Sequence, residues 1–231
     1  MGGGEVPARD RLPRGILDGV GLLIAADAGA DRCGELGLVP DLVVGDFDSA
    51  APDLLDRLGS RGIPVRREAS EKDESDLELA LRAACERGAD HVVALGAIGG
   101  PRVEHLLAAL DLLAVASSAG VAMAIVDERS VIRMLDARQG ACAARLVVEG
   151  EPGDFVSLFP WAGDVPGVST RGLRYPLRDE PLPVGPSRGL SNELLGATGE
   201  ISCRDGLLLV VHTRRSALAG TGTGTGGRVD D

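Results

Sequence analysis

Short apolar runs bounded by Gly, Pro or Asp recur through the first half of the chain. They are Gly21-Leu-Leu-Ile-Ala-Ala26, Asp41-Leu-Val-Val44, His91-Val-Val-Ala-Leu95 and Val121-Ala-Met-Ala-Ile-Val126. Runs that are apolar at consecutive positions suit strands covered on both faces, as in a parallel sheet. Between them the spacing becomes helical. Leu77, Ala80, Leu81 and Ala84 share one face over Asp76 to Arg87, and Leu106, Leu107, Leu110 and Leu113 do so over Glu104 to Ser117. This alternation predicts a three-layer α/β domain with a mostly parallel sheet over residues 1–138. Ligands of such a domain gather at the carboxyl ends of the strands.

After Gln139 the pattern changes. Arg145–Glu149, Asp154–Phe159, Glu200–Cys203 and Leu207–Val211 are short strand patterns between Gly- and Pro-rich turns, with prolines crowded between Pro152 and Pro186. They predict a small antiparallel β-sandwich domain over 139–215. Residues 216–231 end in a Gly/Thr repeat that reads as a disordered tail. The amino terminus is unusual, because an α/β domain opens on a buried strand whereas a Gly-, Pro- and Arg-rich lead precedes Gly21. Either the sheet lacks that strand, or Gly2-Gly-Gly-Glu5 is the loop that follows it.

Composition narrows the function classes. With 2% aromatic residues in 231 positions, the chain has no series of rings on which single-stranded nucleic acid could stack. Its formal net charge of −11 has the wrong sign for neutralising a phosphate backbone. No apolar run is long enough for a membrane span. Cys33, Cys85, Cys142 and Cys203 stand singly, as small apolar residues of a reducing cytoplasm would. The acid excess is uneven, with eleven acidic against five basic residues from Asp41 to Ala80.

Those acids sit where strands should end. Asp27 follows the first run, Asp46 and Asp48 follow the second, Asp73 and Asp76 precede a predicted helix, and Glu104 opens the helix after the third run. On one rim, several carboxylates repel each other unless a cation lies among them, and hard oxygen donors suit Mg²⁺ bridging to phosphates. Asp73, Glu74 and Asp76 equally suit a helix amino terminus, where caps and acidic residues are favoured. Gly96-Ala-Ile-Gly-Gly100 would let a backbone approach a phosphate, and Arg102 offers a fork of donors beside it.

The order Asp27-Ala-Gly-Ala-Asp-Arg32, Gly45-Asp-Phe-Asp-Ser49, Lys72-Asp-Glu-Ser-Asp76 and Gly99-Gly-Pro-Arg-Val-Glu-His105 resembles the thiamine pyrophosphokinase family. Val156-Ser-Leu158, Gly172-Leu-Arg-Tyr-Pro-Leu177 and Gly189-Leu-Ser-Asn-Glu193 are similar to that family's thiamine-binding domain, so the likeness runs from Asp27 to Val211. It departs from the family in Ala28 and Asp31, where Gly and Asn are usual, in the inserted Pro101, and in Glu104 where an Asp is usual. The resemblance implies Mg²⁺-dependent transfer of a diphosphate group from ATP to the thiamine hydroxyl, releasing AMP, in a cytoplasmic homodimer that binds neither nucleic acid nor membrane. It implies that Asp46, Asp48 and Asp76 are catalytic, and that with Asp73 they hold the metal. Asp27, Lys72, Gly99, Gly100, Arg102, Glu104 and His105 would bind ATP, and Tyr175, Ser191 and Asn192 would bind thiamine. Two other readings share these features: a diphosphotransferase for another hydroxymethyl heterocycle such as a pterin, and a non-catalytic thiamine- or nucleotide-binding homologue.

Overall fold

Side chains alternate across a strand, and in the first half of the chain that alternation sorts the core into two layers. The computed structural model describes residues 1–48, 53–69, 71, 73–99, 102–138 and 143–218. Contacts divide the chain into two units, Met1–Met134 and Leu135–Asp231.

In the first unit, β1 (Ile24–Ala26), β2 (Leu42–Gly45) and β3 (Val65–Arg67) pair in parallel in that order. Ala25 and Val43 face one layer, with Ala30 and Cys33 of α1 (Gly29–Glu35) and Leu54 and Leu58 of α2 (Leu54–Ser60). Ile24, Ala26, Leu42 and Val44 face the other, against Leu79, Ala80, Ala83 and Ala84 of α3 (Asp76–Glu86). Ser75 caps α3, its hydroxyl accepting a hydrogen bond from the Glu78 amide at 3.2 Å. β4 (His91–Ala94) is joined through α4 (Val103–Ser118) to a parallel β5 (Ala122–Val126), and β6 (Ser130–Asp136) pairs antiparallel with β5.

Strand β1 is shorter than its apolar run. At Leu23 the amide is taken by the Asp41 carboxylate at 2.7 Å instead of a ladder partner. The opening residues lie in extended form between β1 and the end of β4. The Met1 ammonium donates to the Ile24 carbonyl at 2.7 Å. The Ala26 amide donates to Met1 O at 2.8 Å, Gly2 N to Leu95 O at 2.7 Å, and Gly4 N to Gly96 O at 2.9 Å. Met1 to Gly4 are thus held by backbone hydrogen bonds to β1 on one side and to the end of β4 on the other.

The second unit is all antiparallel. Its strands are β7 (Ala144–Glu149), β8 (Phe155–Trp161), β9 (Val165–Arg171), β10 (Glu180–Leu182), β11 (Asn192–Glu193), β12 (Thr198–Cys203) and β13 (Leu207–Thr213), with a terminal turn α5 (Arg215–Leu218). One sheet has the order β10-β9-β12-β7, and β11, β8 and β13 pair in the other. The inward residues of both, including Val148, Val156, Leu158, Val168, Ile201, Leu208 and Val210, form one core. At its end Asp154 and His212 are both buried, with Nε2 2.9 Å from Oδ2. Among the described residues, Cys33 and Cys203 are buried and Cys85 is half-buried, all unpaired; Cys142 lies outside them. The expected tail from residue 219 onward also lies outside them. No described helix is long and apolar enough to cross a membrane.

Candidate active site

Asp27 is the first residue past β1, and its amide donates to the Val44 carbonyl at 2.8 Å, which locks it to the end of β2. Its φ of 46° lies in the left-handed region, which Asp tolerates better than most residues. Gly45 is required beside it, because a Cβ there would lie 3.1 Å from the Asp27 Cβ. The Asp27 side chain is 7% exposed, and its Oδ1 is buried with no hydrogen-bond partner.

Three carboxylates act on it. Burial foremost, then the charges of Asp76, Asp46 and Asp48, hold the Asp27 carboxyl above its ordinary value against an opposing hydrogen bond from the Ala28 backbone. Asp46 and Asp48 leave the end of β2 on either side of Phe47, which is 9% exposed with a φ of 65°. The Asp46 Oδ1 accepts the Asp48 amide at 3.2 Å, fixing the turn. Asp76 is the first residue of α3. The ends of β1 and β2 and the start of α3 thus bring Asp46, Asp48 and Asp76 near enough for their charges to act on Asp27. Asp73 is exposed and is not among the charges that raise Asp27.

Glycines line the adjacent turn. A Cβ on Gly2 would come 2.5 Å from Gly96 O, and one on Gly4 would come 2.7 Å from the same atom. A Cβ on Gly29, at the start of α1, would collide with Met1 O. Only glycine permits these approaches. Gly99 has a φ of 83° and stands against the Glu5 side chain. At the start of α4, Arg102 Nε is 2.6 Å from Glu104 Oε1, and both side chains are well exposed. That hydrogen bond holds Glu104 below its ordinary value. His105 is exposed in the first turn of α4. Lys72 and Gly100 lie outside the described residues.

In the second unit, Tyr175 and Asn192 meet. The Tyr175 amide donates to Asn192 Oδ1 at 3.0 Å, and Asn192 Nδ2 donates to Tyr175 O at 2.7 Å. Asn192 is 7% exposed and Tyr175 is 56% exposed, so the buried amide holds the backbone while the phenol ring faces outward. Ser191 has a φ of 55°, and its amide donates to the Ser157 hydroxyl at 3.0 Å. Two supports escaped the sequence reading: the close approach of Gly2 and Gly4 to Gly96, signalled only by a glycine run, and the Ser157 hydroxyl on β8, which carried no signal.

The carboxylate cluster fits a magnesium ion. Its donors are all oxygen, one of them is buried without a partner, and burial, followed by the neighbouring carboxylates, raises Asp27. Among the described residues, no three His, Cys, Asp or Glu side chains form a ready-made metal cage. Magnesium rarely uses one, taking one or two carboxylates together with water and substrate phosphates.

The chain matches two family models in sequence order, the thiamin pyrophosphokinase catalytic domain over residues 14–125 and the thiamin pyrophosphokinase vitamin B1 binding domain over residues 145–208. It belongs to the thiamine pyrophosphokinase family. It is 27% identical over 199 residues to the thiamine pyrophosphokinase of Bacillus subtilis, covering 86% of this chain and 90% of that protein. The crystal structure of the Bacillus subtilis thiamine pyrophosphokinase superposes with a TM-score of 0.76 at 26% identity, covering 92% of this chain and 96% of the other. That of the Geobacillus thermodenitrificans thiamin pyrophosphokinase gives a TM-score of 0.76 at 29% identity, covering 93% and 96%. The catalytic-domain match falls on the α/β unit that carries Asp27, and the vitamin B1 binding match falls on the β-sandwich that carries Tyr175.

Proposed function

We propose that this chain transfers a diphosphate group from ATP to the hydroxyethyl oxygen of thiamine, giving thiamine diphosphate and AMP. The observation that carries the reading is the unpartnered, buried Asp27 Oδ1 ringed by Asp46, Asp48 and Asp76, in a chain that belongs to the thiamine pyrophosphokinase family. Such a cluster repels a free polyphosphate and accepts one that arrives with a divalent cation. Asp46, Asp48 and Asp76 would hold Mg²⁺, with Asp27 behind them and Asp73 at the margin. Bound there, the ion supplies neutralisation of the phosphate charge.

The protein's own groups do the remaining work. Diphosphate transfer demands in-line positioning and a place for the hydroxyl proton more than a covalent nucleophile. Asp76 accepts the proton of the thiamine hydroxyl as its oxygen bonds to the β-phosphorus and the bond to the AMP oxygen breaks. The glycine turn Gly96–Gly99 lies against the ATP phosphates, with His105 and the Arg102–Glu104 pair at its rim, and the family resemblance assigns Gly100 and Lys72 to ATP as well. Tyr175 stacks its exposed ring on thiamine, and Asn192 and Ser191 hold the loop that presents it.

The protein acts as a homodimer in the cytoplasm. Exposed Val103, Leu107 and Val115 on α4 give the chain an apolar helix surface for a second copy, and the unpaired cysteines suit a reducing compartment. Sedimentation of the purified protein checks the dimer: one species of twice the chain mass is expected. Thiamine-dependent release of AMP from Mg-ATP checks the activity.

A further inference from the structure

Asp154 and His212 form a buried pair that the diphosphate transfer does not use. Asp154 stands just ahead of β8 and His212 near the end of β13, and they are 2% and 5% exposed. An ionised carboxylate only accepts hydrogen bonds, so His212 Nε2 carries the proton and donates it to Asp154 Oδ2 at 2.9 Å. The same carboxylate accepts the Glu151 amide on Oδ2 at 3.0 Å and the Arg215 amide on Oδ1 at 2.9 Å. A charge out of water needs such partners, and each of them also fixes where the Asp154 backbone lies.

That backbone holds Leu194. The Leu194 amide donates to Asp154 O at 2.9 Å, and the Gly153 amide donates to Leu194 O at 2.8 Å. The side chains converge as well. A Cβ on Gly150 would lie 2.7 Å from Asp154 Oδ2, 2.7 Å from His212 Nε2 and 2.9 Å from Leu194 Cδ1. Glycine there leaves the three groups room around one spot, and Leu194, 2% exposed, lies beside the charged pair.

From Leu194 the connection reaches Tyr175 across a short antiparallel ladder. Leu194 bridges Leu173, the Leu195 amide donates to Gly172 O at 2.9 Å, and the Arg174 amide donates to Glu193 O at 2.9 Å. Asn192 then takes both backbone groups of Tyr175. Segment 172–175 is thereby laid along 192–195, so the place of Leu194 sets the place of the tyrosine. We infer that Asp154 and His212 are positioning residues for thiamine: they fix Leu194, and through this ladder the backbone from which Tyr175 presents its ring. The inference rests on the proposed function and on Tyr175 as its stacking residue.

Tyr175 is the one tyrosine of the chain, so a sample isotopically labelled at the tyrosine nitrogen gives a single backbone amide cross-peak that reports this loop. The test records that peak, with KM for thiamine and for ATP, well below Tm in the parent, Asp154→Asn, His212→Ala, His212→Gln and Leu208→Val. Leu208 is buried in the same core at the opposite end of β13, which makes its variant the control for lost packing. Asp154→Asn and His212→Ala are expected to shift the peak and to raise KM for thiamine about fivefold, the scale on which residues away from a ligand modulate its binding. KM for ATP should not change. His212→Gln, which keeps a side-chain N–H donor, should fall between His212→Ala and the parent. Leu208→Val should lower Tm without moving the peak or either KM. An unmoved peak in folded Asp154→Asn and His212→Ala, equal rises in both KM values, no recovery in His212→Gln, or the same response from Leu208→Val overturns the inference and leaves the proposed function standing. A parent without thiamine-dependent AMP release overturns both.

Discussion

Asn192 grips Tyr175 by both sides of its backbone, accepting from its amide at 3.0 Å and donating to its carbonyl at 2.7 Å. The amide also accepts the Glu193 N–H at 2.9 Å. A side chain so engaged has little left for a ligand, so under the proposed function it serves to position Tyr175. Asn192→Ala should raise KM for thiamine about tenfold with KM for ATP unchanged, and should lower Tm, because a buried bonded amide is worth about 1–3 kcal/mol. Steady-state kinetics with each substrate varied in turn checks this.

Tyr175 itself offers a ring, and its exposure leaves the fold indifferent to that ring. Tyr175→Phe should keep thiamine affinity near normal, while Tyr175→Ala should weaken it by roughly tenfold, the scale of about 0.5–1.5 kcal/mol for an aromatic pair. Calorimetric titration with thiamine checks the pair. Equal losses for thiamine and ATP would contradict a stacking role.

Asp27 should show function at odds with stability. Its carboxyl is raised in the folded state, so the folded chain binds more protons than the unfolded one just above the ordinary Asp value of about 3.9. Stability is therefore fully present below that pH and is lost as pH rises through the folded value. Asp27→Asn removes the penalty, and Asn also tolerates the left-handed φ. In metal-free buffer the variant should melt higher than the parent at pH 7, with the gap shrinking near pH 4, while its turnover falls. Melting curves across that range decide it.

Asp154 has the opposite sign. Burial would raise its carboxyl, but hydrogen bonds from the Glu151 and Arg215 amides and from His212 outweigh burial and hold it below its ordinary value. It contributes stability above the unfolded Asp value of about 3.9, lost as pH falls through the folded one. Asp154→Asn should lower Tm at pH 7, by an amount set by a cost of about 1–3 kcal/mol, and the difference from the parent should vanish in acid. Calorimetric scans from pH 7 downward check it.

Much of the architecture could be read from period alone. β2 and α3 stand where their apolar spacing put them, because both are covered on the faces that the spacing marks. α1 was missed because seven residues with Gly29 and Gly34 carry little helical signal, and β3 because Val65-Arg-Arg67 is short and half-exposed. At the site, Asp27, Asp46, Asp48 and Asp76 were legible as acids following strands or opening a helix. The orphaned Asp27 Oδ1, the grip of Asn192 on Tyr175 and the nesting of Gly2 and Gly4 against Gly96 were not, since each joins residues distant in sequence through three-dimensional contacts.

The central claim is that the carboxylate cluster delivers the diphosphate of ATP to thiamine with the help of a cation. It is tested most directly by measuring AMP released from ATP, with and without thiamine and Mg²⁺, for the parent chain and for Asp46→Asn and Asp48→Asn. Asp46→Asn retains the side-chain oxygen that accepts the Asp48 amide, so that variant keeps the turn. AMP should form only when both thiamine and Mg²⁺ are present, and each variant should lose activity by about 10²–10³-fold, the scale on which removing a group that stabilises developing charge acts. AMP formed without thiamine, formed only with a pterin alcohol in its place, or formed at parental rates by both variants would contradict it.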